Sequence, residues 1–327
     1  MAENLRPPPF LDVVIPCFNE EAVLKSTYGT LSGVLGELAQ RSEIRDWRLI
    51  LVDNASTDGT LEIMRRLFEA DRRVMVVELR RNFGFQGSIS AGLASSSGDA
   101  TVTIDADLQD PPELIGRMVE HFRAGHDLVL GVRINRREAD GLLVRVLAHA
   151  YYTLAKWLRT PTVPQHGDFR LMSRDLVAVV NELPERNRFL RTMIPQIESR
   201  YATVEYSRRP RTRGRSKHDV LTVLSVAFDG IVGFGYQPLR VGMALGVVVA
   251  VVSLVFTLLV FQKYAVTGTF PWDAALLTAI LMVAAIQFAF LGVVGEYIGR
   301  IFIETRGRPP FLVRRVLVHG PGEASRS

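Results

Sequence analysis

Segment 105–109 carries three oxygen-bearing side chains at every second position, a spacing that can hold a metal ion. In an extended chain alternate residues point the same way, so Asp105, Asp107 and Gln109 would present two carboxylates and one amide oxygen together. Mg²⁺ takes one or two protein carboxylates and completes its shell with water and substrate phosphates. The segment therefore predicts a site for a diphosphate with Mg²⁺ or Mn²⁺. Helix capping by Asp110, which precedes two prolines, is an alternative reading that can hold at the same time.

Short β-branched runs alternate with helical stretches through the first 132 residues. The predicted strands are 11–16, 47–53, 74–79, 101–105 and 128–132, and the predicted helices are 20–40, 59–70, 84–97 and 112–124. This alternation is typical of an α/β domain with a mostly parallel sheet and helices on both faces. Ligands bind such sheets at the carboxyl ends of the strands. We therefore expect the polar segments 16–20, 53–56, 80–84 and 105–109 to converge on one cleft.

The composition restricts the class of protein. The chain has 327 residues, 48% of them hydrophobic and 22% charged, with a formal net charge of +5 and one cysteine, Cys17. One cysteine excludes an intramolecular disulfide framework, and we interpret Cys17 as a packed small side chain. The small positive charge does not by itself indicate binding to nucleic acid, and we expect none. Neither a Walker A motif nor G-x-G-x-x-G occurs, so an ATPase or a Rossmann dehydrogenase is not indicated.

Two long uncharged runs near the carboxyl terminus predict a pair of transmembrane helices. Residues 241–261 and 274–295 contain no charged side chain, and each run is long enough to cross a hydrocarbon core as a helix. Arginines flank the pair on both outer sides, at Arg240 and from Arg300 onward. The positive-inside rule then places both flanks in the cytosol. We expect an integral protein of the cytoplasmic membrane, with its catalytic domain and its tail on the cytosolic side.

A basic segment precedes the first apolar run. Residues 206–218 carry six cations and no acid, and an amphipathic stretch, 220–236, follows. A solvated charged loop and a nucleic-acid patch are alternative readings, but cations beside a membrane helix attract anionic headgroups. The predicted organisation is a catalytic domain at 1–215, an amphipathic interfacial helix at 216–238, a two-helix membrane hairpin at 239–298 and a basic tail at 299–327.

Six motifs in order give the chain its resemblance to a known family. They are V-V-I-P-C-F-N-E-E (13–21), V-D-N-A-S-T-D-G-T (52–60), R-R-N-F-G (80–84), D-A-D-L-Q-D-P-P-E (105–113), G-V-R (131–133) and G-D-F-R-L-M (167–172). This series resembles family 2 glycosyltransferases with the GT-A fold. G-R-S-K (214–217) and the two apolar runs are similar to the polyprenyl-phosphate subgroup, which includes dolichyl-phosphate mannose synthase and bactoprenol glucosyltransferase.

The resemblance implies a donor site for a nucleotide sugar of the UDP-glucose or GDP-mannose class. The residues it assigns to the nucleotide sugar are Pro16, Phe18, Glu20, Asp53, Asn54, Asp105, Ala106 and Arg133. Asp53 would accept a hydrogen bond from the edge of the base, since a carboxylate suits an imide N–H. Many family members carry a second acid where this chain has Asn54. The same resemblance gives Asp105, Asp107 and Gln109 as ligands of the metal and the diphosphate.

The resemblance also implies a polyprenyl phosphate as acceptor. Arg170, Arg211 and Lys217 would bind the lipid phosphate, and Asp107 and Asp168 would be the catalytic acids. A phosphate with a second pKa of about 6 is mostly ionised at neutral pH and needs no base. We therefore expect Asp168 to orient the acceptor or the sugar more than to take a proton.

Together these features predict an inverting, metal-dependent hexosyltransferase that makes a polyprenyl-phosphate-linked monosaccharide. A catalytically silent membrane scaffold and a glycosyltransferase with another acceptor are the alternatives. A processive polysaccharide synthase is disfavoured because the sequence lacks Q-x-x-R-W. A homo-oligomer is compatible with the resemblance.

Overall fold

The computed structural model describes residues 5–134, 166–185, 188–207 and 272–319, with isolated positions 255 and 262. The strands are β1 (Phe10–Cys17), β2 (Asp46–Asp53), β3 (Val74–Leu79), β4 (Ala100–Thr103), β5 (Leu128–Arg133), β6 (His166–Ser173), β7 (Tyr201–Tyr206) and β8 (Val313–Leu317). The helices are α1 (Leu24–Gln40), α2 (Thr60–Ala70), α3 (Gly84–Ser95), α4 (Ile115–Arg123), α5 (Arg174–Glu182), α6 (Leu190–Ile197) and α7 (Trp272–Thr305). A 3₁₀ turn at Pro112–Leu114 precedes α4.

The described strands form one sheet in the order β7-β5-β6-β4-β1-β2-β3-β8. β1 pairs in parallel with β2 and β4, β2 with β3, and β5 with β7. β6 runs antiparallel to both β4 and β5, and β8 runs antiparallel to β3. All strands except β6 and β8 therefore point in one direction. The predicted mostly parallel sheet is confirmed, and its architecture is GT-A-like.

Helices cover both faces of the sheet, as predicted. Within β1, Val13 belongs to one hydrophobic cluster, which includes α1, α2 and α4, while the next residue, Val14, belongs to a second cluster with α3. α5 and α6 join α3 on that second face, where they pack against β5 and β6. Because successive strand residues point to opposite faces, a strand buried on both sides must be apolar throughout. This requirement explains the unbroken β-branched runs of the sequence.

Two of the differences between predicted and observed boundaries concern the loops after β1 and β4. The first helix begins at Leu24 instead of residue 20, because the amides of Glu20 and Glu21 donate to Thr60 Oγ1 and Asp58 Oδ2 in the following loop, at 2.8 and 3.4 Å. β4 ends at Thr103 instead of residue 105. The residues after both strands thus form loops that are held by side chains.

Three strands are absent from the sequence prediction. β6 contains the G-D-F-R-L-M motif and β7 pairs beside β5. β8 lies in the segment predicted as a basic tail, and it extends the sheet at the edge of β3. Residues 308–327 accordingly group with the sheet domain, which also comprises residues 1–145 and 161–216, whereas residues 146–160 and 217–307 form a second unit.

The predicted membrane segments fall largely outside the described residues. This is true of 208–271, apart from positions 255 and 262, and so of the amphipathic stretch and the first apolar run. The second apolar run, 274–295, lies within α7. Over the described residues, no helix meets the length and apolarity expected of a membrane span.

A buried carboxylate stabilises the end of the sheet at which the parallel strands begin, opposite the end that carries the predicted site. Asp12 is fully buried, and its oxygens accept hydrogen bonds from Arg48 at 2.9 and 2.8 Å and from the amides of Ser97 and Gly98, both at 2.7 Å. Four donors compensate one buried negative charge. These bonds tie β1, β2 and the connection before β4 together at their starts.

Replacing Asp12 tests this connection. We expect Asp12→Ala to lower the free energy of unfolding by about 3–5 kcal/mol, because it leaves the Arg48 charge and the buried Gly98 amide without their partner. Arg66→Ala, which removes an exposed ion pair with Glu62, is the control and should cost less than about 1 kcal/mol. Urea unfolding followed by tryptophan fluorescence measures both, and equal losses would contradict the assignment.

Candidate active site

Side chains link the loops that follow β1 and β2. Asn19 Oδ1 accepts hydrogen bonds from the amide and hydroxyl of Thr57, at 2.8 and 3.3 Å, while the Asn19 amide donates to Ser56 Oγ at 3.2 Å. Glu21 Oε2 accepts from the Gly59 amide at 2.6 Å. The two polar segments predicted to converge are therefore one connected structure.

The residues predicted to hold the nucleotide base lie on these loops. Phe18 is 39% exposed at the end of β1, directly after the buried Pro16 and Cys17. Asp53, at the end of β2, is buried, and its Oδ1 accepts from the Ser56 amide at 3.1 Å. An exposed aromatic ring beside a carboxylate supplies a stacking face and an acceptor for a base edge.

Asn54 holds the loop that follows β3. Its Nδ2 donates to Asn82 Oδ1 at 3.1 Å and to the Gly84 carbonyl at 3.2 Å, and its Oδ1 accepts from the Phe83 amide at 2.9 Å. A carboxylate at this position could not donate, so an amide side chain is required for this arrangement. Asn54 is 4% exposed and acts on the shape of segment 82–84.

Segment 105–109 forms a turn and not the extended chain that the sequence predicted, since Leu108 has a φ of +53°. Ala106 is buried and its carbonyl accepts from Thr27 Oγ1 at 2.5 Å, while Asp105 and Asp107 on either side are half-buried. Asp107 Oδ1 also accepts from the Gln109 amide at 3.1 Å, so it is oriented by a turn.

The donor set fits a divalent cation that a substrate helps to bind. Over the described residues there is no group of three or more His, Cys, Asp or Glu side chains placed to hold a metal. Two carboxylates and an amide are nonetheless what Mg²⁺ accepts when phosphate oxygens and water supply its other ligands. The chemistry of Asp105, Asp107 and Gln109 is thus suited to a metal that arrives with a diphosphate.

Backbone strain occurs in the same loops. Asn19, Ala55 and Leu108 have φ values of +58°, +58° and +53°, in the left-handed region that residues other than glycine rarely adopt. Each lies just after β1, β2 or β4. Such conformations persist where the surrounding contacts impose them, and they concentrate at functional sites.

Asp168, predicted as catalytic, is buried between two arginines. Its Oδ1 accepts from Arg170 and its Oδ2 from Arg191, each at 2.5 Å. Arg170 is only 1% exposed and donates its other terminal nitrogen to the Leu190 carbonyl at 3.0 Å. Arg170 therefore faces Asp168 and the protein interior, whereas the side chain of Arg191 is 35% exposed.

The arginines keep Asp168 ionised. Burial raises the pKa of the Asp168 carboxyl, but the charges of Arg191 and Arg170 outweigh burial and hold that pKa below its usual range. A carboxylate with a lowered pKa is a weak base near neutral pH. This electrostatic environment suits an orienting role.

A second network occupies the ends of β5 and β7. Tyr206 donates its hydroxyl to Asp110 Oδ1 at 2.7 Å, and Arg133 donates to Tyr206 Oη at 3.0 Å and to both Asp110 oxygens at 3.3 Å. Burial lowers the pKa of Arg133, but the effect of Asp110 and Tyr206, which raise that pKa, is larger. The guanidinium therefore stays charged. The expectation that Asp110 caps a helix is wrong, since the 3₁₀ turn has no side-chain cap and Asp110 faces this network instead.

Strand pairing brings the network around Asp168 and the network around Asp110 to the same end of the sheet, where the parallel strands end. Thr103, the last residue of β4, pairs with Arg170, and the Thr103 hydroxyl donates to the Asp168 carbonyl. Arg133 pairs with Tyr206 at the ends of β5 and β7. Asp105 contributes to the pKa of both Arg133 and Arg170, so it lies within electrostatic reach of the two networks.

The structure accounts differently for the remaining predicted residues. Arg211 and Lys217 lie outside the described residues. Cys17 is 1% exposed, and burial raises the pKa of its thiol well above the ordinary value, which confirms a packed, unreactive side chain.

Arg191, Asp110 and Tyr206 are candidate site residues that sequence reasoning missed. Their partners lie 23 or 96 residues away, so no local spacing identifies them.

Most of the chain is similar in sequence to known protein families and proteins. Residues 12–180 match the family described as Glycosyl transferase family 2, and residues 237–301 match the family described as GtrB C-terminal hairpin. A bactoprenol glucosyl transferase of Shigella phage SfX is 35% identical over 311 residues, which cover 93% of this chain and 98% of that protein. An uncharacterized glycosyltransferase of Synechocystis, sll0501, is 36% identical over 304 residues, with 93% and 94% covered.

Solved structures resemble the chain more distantly. A glucosyl-3-phosphoglycerate synthase from Mycobacterium tuberculosis, in complex with Mn²⁺, UDP and phosphoglyceric acid, has 23% sequence identity and a TM-score of 0.47. The match covers 68% of this chain and 76% of that structure.

The ionised state of Asp168 predicts a pH dependence of stability. Because its pKa is lowered on folding, its stabilising contribution is complete above the unfolded value of about 3.9 and is lost as the pH falls through the folded value. We expect Asp168→Asn to lower the free energy of unfolding by about 3 kcal/mol at neutral pH, since it leaves Arg170 buried without a counter-charge. The difference from wild type should narrow below about pH 4.

Chemical denaturation at several pH values measures this difference. Asp175→Asn, on an exposed acid in the first turn of α5, is the matched control and should show little change. A loss for Asp168→Asn that stays constant across the whole range would show that the carboxylate charge is not what the arginines require.

Proposed function

The chain belongs to glycosyl transferase family 2, and we propose that it transfers one sugar from a nucleotide sugar to the phosphate of a membrane polyprenol. The observation that carries the proposal is the similarity to bactoprenol glucosyl transferases over 93% of this chain, beyond the catalytic domain and into the carboxyl-terminal hairpin. A relative that matched only the sheet domain would support glycosyl transfer alone. The match to the hairpin adds support for an acceptor that resides in a membrane.

The geometry at the strand ends supports a donor site. In the proposed site Phe18 would stack on the base and Asp53 would accept a hydrogen bond from its edge. Asp105 and Asp107, with Gln109, would hold a divalent cation together with the diphosphate. Such a cation, when bound, would supply positive charge against the departing diphosphate. UDP-glucose and GDP-mannose represent the two donor classes that we consider.

The arginines beside Asp168 support a site for an anionic acceptor. The guanidinium of Arg191 has one nitrogen on Asp168 and is partly exposed, so it can also contact a phosphate oxygen. Over the described residues, the buried Nε atoms of Arg170 and Arg191 have no hydrogen-bond partner, so each arginine keeps an unused donor. In the proposed site Asp168 aligns the arginines, and Arg170 acts through Asp168 instead of touching the lipid.

The proposed reaction is a single displacement. An oxygen of the lipid phosphate attacks the anomeric carbon, the new carbon–oxygen bond forms as the bond to the nucleoside diphosphate breaks, and the configuration inverts. No proton has to be removed, because a phosphate monoester is largely ionised near neutral pH. The ionised Asp168 fits this requirement, since orientation and electrostatics carry the rate.

We propose the domain organisation given by the sequence, with one change at the carboxyl terminus. Residues 216–238 form the interfacial segment, residues 239–298 the membrane hairpin, and the tail includes β8. The sheet contains strands from both before and after the second unit. A segment that leaves one folded domain and returns to it crosses a membrane an even number of times, which agrees with two spans. The arginines on both outer flanks support a cytosolic side for the domain.

Replacing Asp107 tests the donor site. Full-length protein in detergent would be given undecaprenyl phosphate, Mg²⁺ or Mn²⁺ and radiolabelled nucleotide sugars, and the label in the organic phase would be counted. We expect one donor class to give label that a chelator abolishes. Asp107→Ala should reduce the rate about 100-fold or more, the size of effect seen when an electrostatic contact to the transition state is lost.

Asp175→Ala, which removes an exposed acid from the first turn of α5, is the control and should keep the wild-type rate. Absence of organic-phase label with every donor, from folded protein that binds nucleotide, would contradict the lipid acceptor. It would favour another acceptor or a scaffold without catalytic activity.

A further inference from the structure

The carboxyl-terminal strand lies against a loop of the candidate donor site. We propose that residues 310–319, here called the tail brace, are a positioning element of the nucleotide-sugar site: they hold segment 80–84 in the shape that binds the donor. This inference rests on the proposed function, because it assigns the brace to the donor half of the reaction.

The backbone pairing reaches the loop itself. β8 pairs with β3 from Val76↔Leu317 to Leu79↔Val313, with an irregularity between Glu78 and Leu79. One further bond follows beyond the strand, from the Arg80 amide to the Leu312 carbonyl, at 2.9 Å. The first residue of segment 80–84 is therefore bonded to the brace.

Side chains continue the contact into the loop and α3. Phe83, Phe311 and Val313 pack on the same hydrophobic cluster, beside Val77 and Leu79 of β3. A Cβ atom added at Gly87 would lie 2.8 Å from Phe83 Cβ and 3.1 Å from the Pro310 carbonyl oxygen. The brace, the loop and the first turns of α3 are thus in close contact, and glycine is the residue that fits there.

The far end of the brace is fixed independently of the loop. His319 stacks on Phe68 of α2 with ring centroids 3.9 Å apart, and its Nε2 lies 2.7 Å from the Phe68 carbonyl oxygen. Anchored at both ends, the brace can resist displacement of the loop.

Segment 80–84 is held from two sides. Asn54, next to the base-binding Asp53, bonds to Asn82, Phe83 and Gly84 on one side, and the brace contacts Arg80 and Phe83 on the other. Arg81, between these contacts, lies with its guanidinium 4.1 Å from the Phe83 ring centroid. Loss of the brace would remove the contacts to Arg80 and Phe83 on one side of the loop and leave those from Asn54 on the other. The apparent affinity for the donor then falls by the fraction of molecules with a correctly shaped loop.

Phe311 is the residue to change, because its ring contributes packing and touches no proposed substrate. In the full-length protein, Phe311→Ala should raise the KM for the nucleotide sugar about tenfold, if the loop keeps its binding shape about one-tenth of the time. The KM for the lipid phosphate and kcat at saturating donor should change less than about twofold. Phe311→Leu should restore most of the donor affinity, and Val179→Ala, at an exposed position on α5 outside the brace, is the matched control.

Hydrogen exchange of the same variants tests whether the brace orders segment 80–84 or stabilises the whole domain. Amides of residues 80–84 should exchange faster in Phe311→Ala, while those of β1 and β2 keep their protection. Equal donor KM and equal exchange in Phe311→Ala and wild type would overturn the inference. A general loss of protection, with all kinetic constants affected together, would also overturn it, since that is the result of a purely structural role.

The proposed function can fail separately. A wild-type protein that binds no nucleotide sugar would reject the donor site and with it the role of the brace in donor binding. A wild-type protein that binds donor normally, with Phe311→Ala binding equally well, would reject the brace alone.

Discussion

Parallel strands that share a direction must end at the same edge of their sheet, and the arrangement of this protein follows from that constraint. β1, β2, β3, β4, β5 and β7 all run one way, so the polar residues after them are gathered along one edge without any direct interaction being needed to collect them. β6 runs the other way, and its beginning therefore lies at that edge too, which places Asp168 beside the end of β4. The opposite edge carries a buried charge of a different kind, Asp12, whose hydrogen bonds are fully used in holding the strand starts together.

Gathering acids at one edge has an electrostatic cost that the fold offsets with arginines. Asp168 is paired with Arg170 and Arg191, and Asp110 with Arg133 and Tyr206, so each of these acids faces a compensating cation. Asp105 and Asp107 differ from Asp168 and Asp110 in burial, since they flank the buried Ala106 and are themselves only half-buried. An edge with both compensated acids and partly exposed acids suits a substrate that brings its own phosphates and a cation. It also suits an acceptor that arrives already ionised, because the charges of Arg191 and Arg170 hold the pKa of the buried Asp168 below its usual range.

Local patterns predicted much of the fold and part of the site. The first five strands were predictable because each is buried on both faces, and its sequence is therefore an apolar, β-branched run. β8 was not, since its sequence V-R-R-V-L is half-exposed and its place is fixed by pairing with β3, more than 200 residues earlier. The pattern of Asp105 and Asp107 is local, so the sequence alone predicts a metal site there, and that site remains part of the proposed function. Arg191 and Tyr206 are recognised only through distant partners, and the role of Asn54 became clear only once segment 82–84 was seen beside it.

The proposed reaction joins an oxygen of the lipid phosphate to the anomeric carbon of the sugar, and the product shows directly whether that bond has formed. Polyprenyl phosphate labelled with ¹⁸O in its phosphate group would be incubated with the active donor, and the lipid product analysed by mass spectrometry and by ¹H NMR of its anomeric proton. We expect a lipid phosphate that has gained one sugar, has kept all of its ¹⁸O and has the anomeric configuration opposite to that of the donor. Retained configuration, or a sugar attached elsewhere than on the phosphate, would contradict the account.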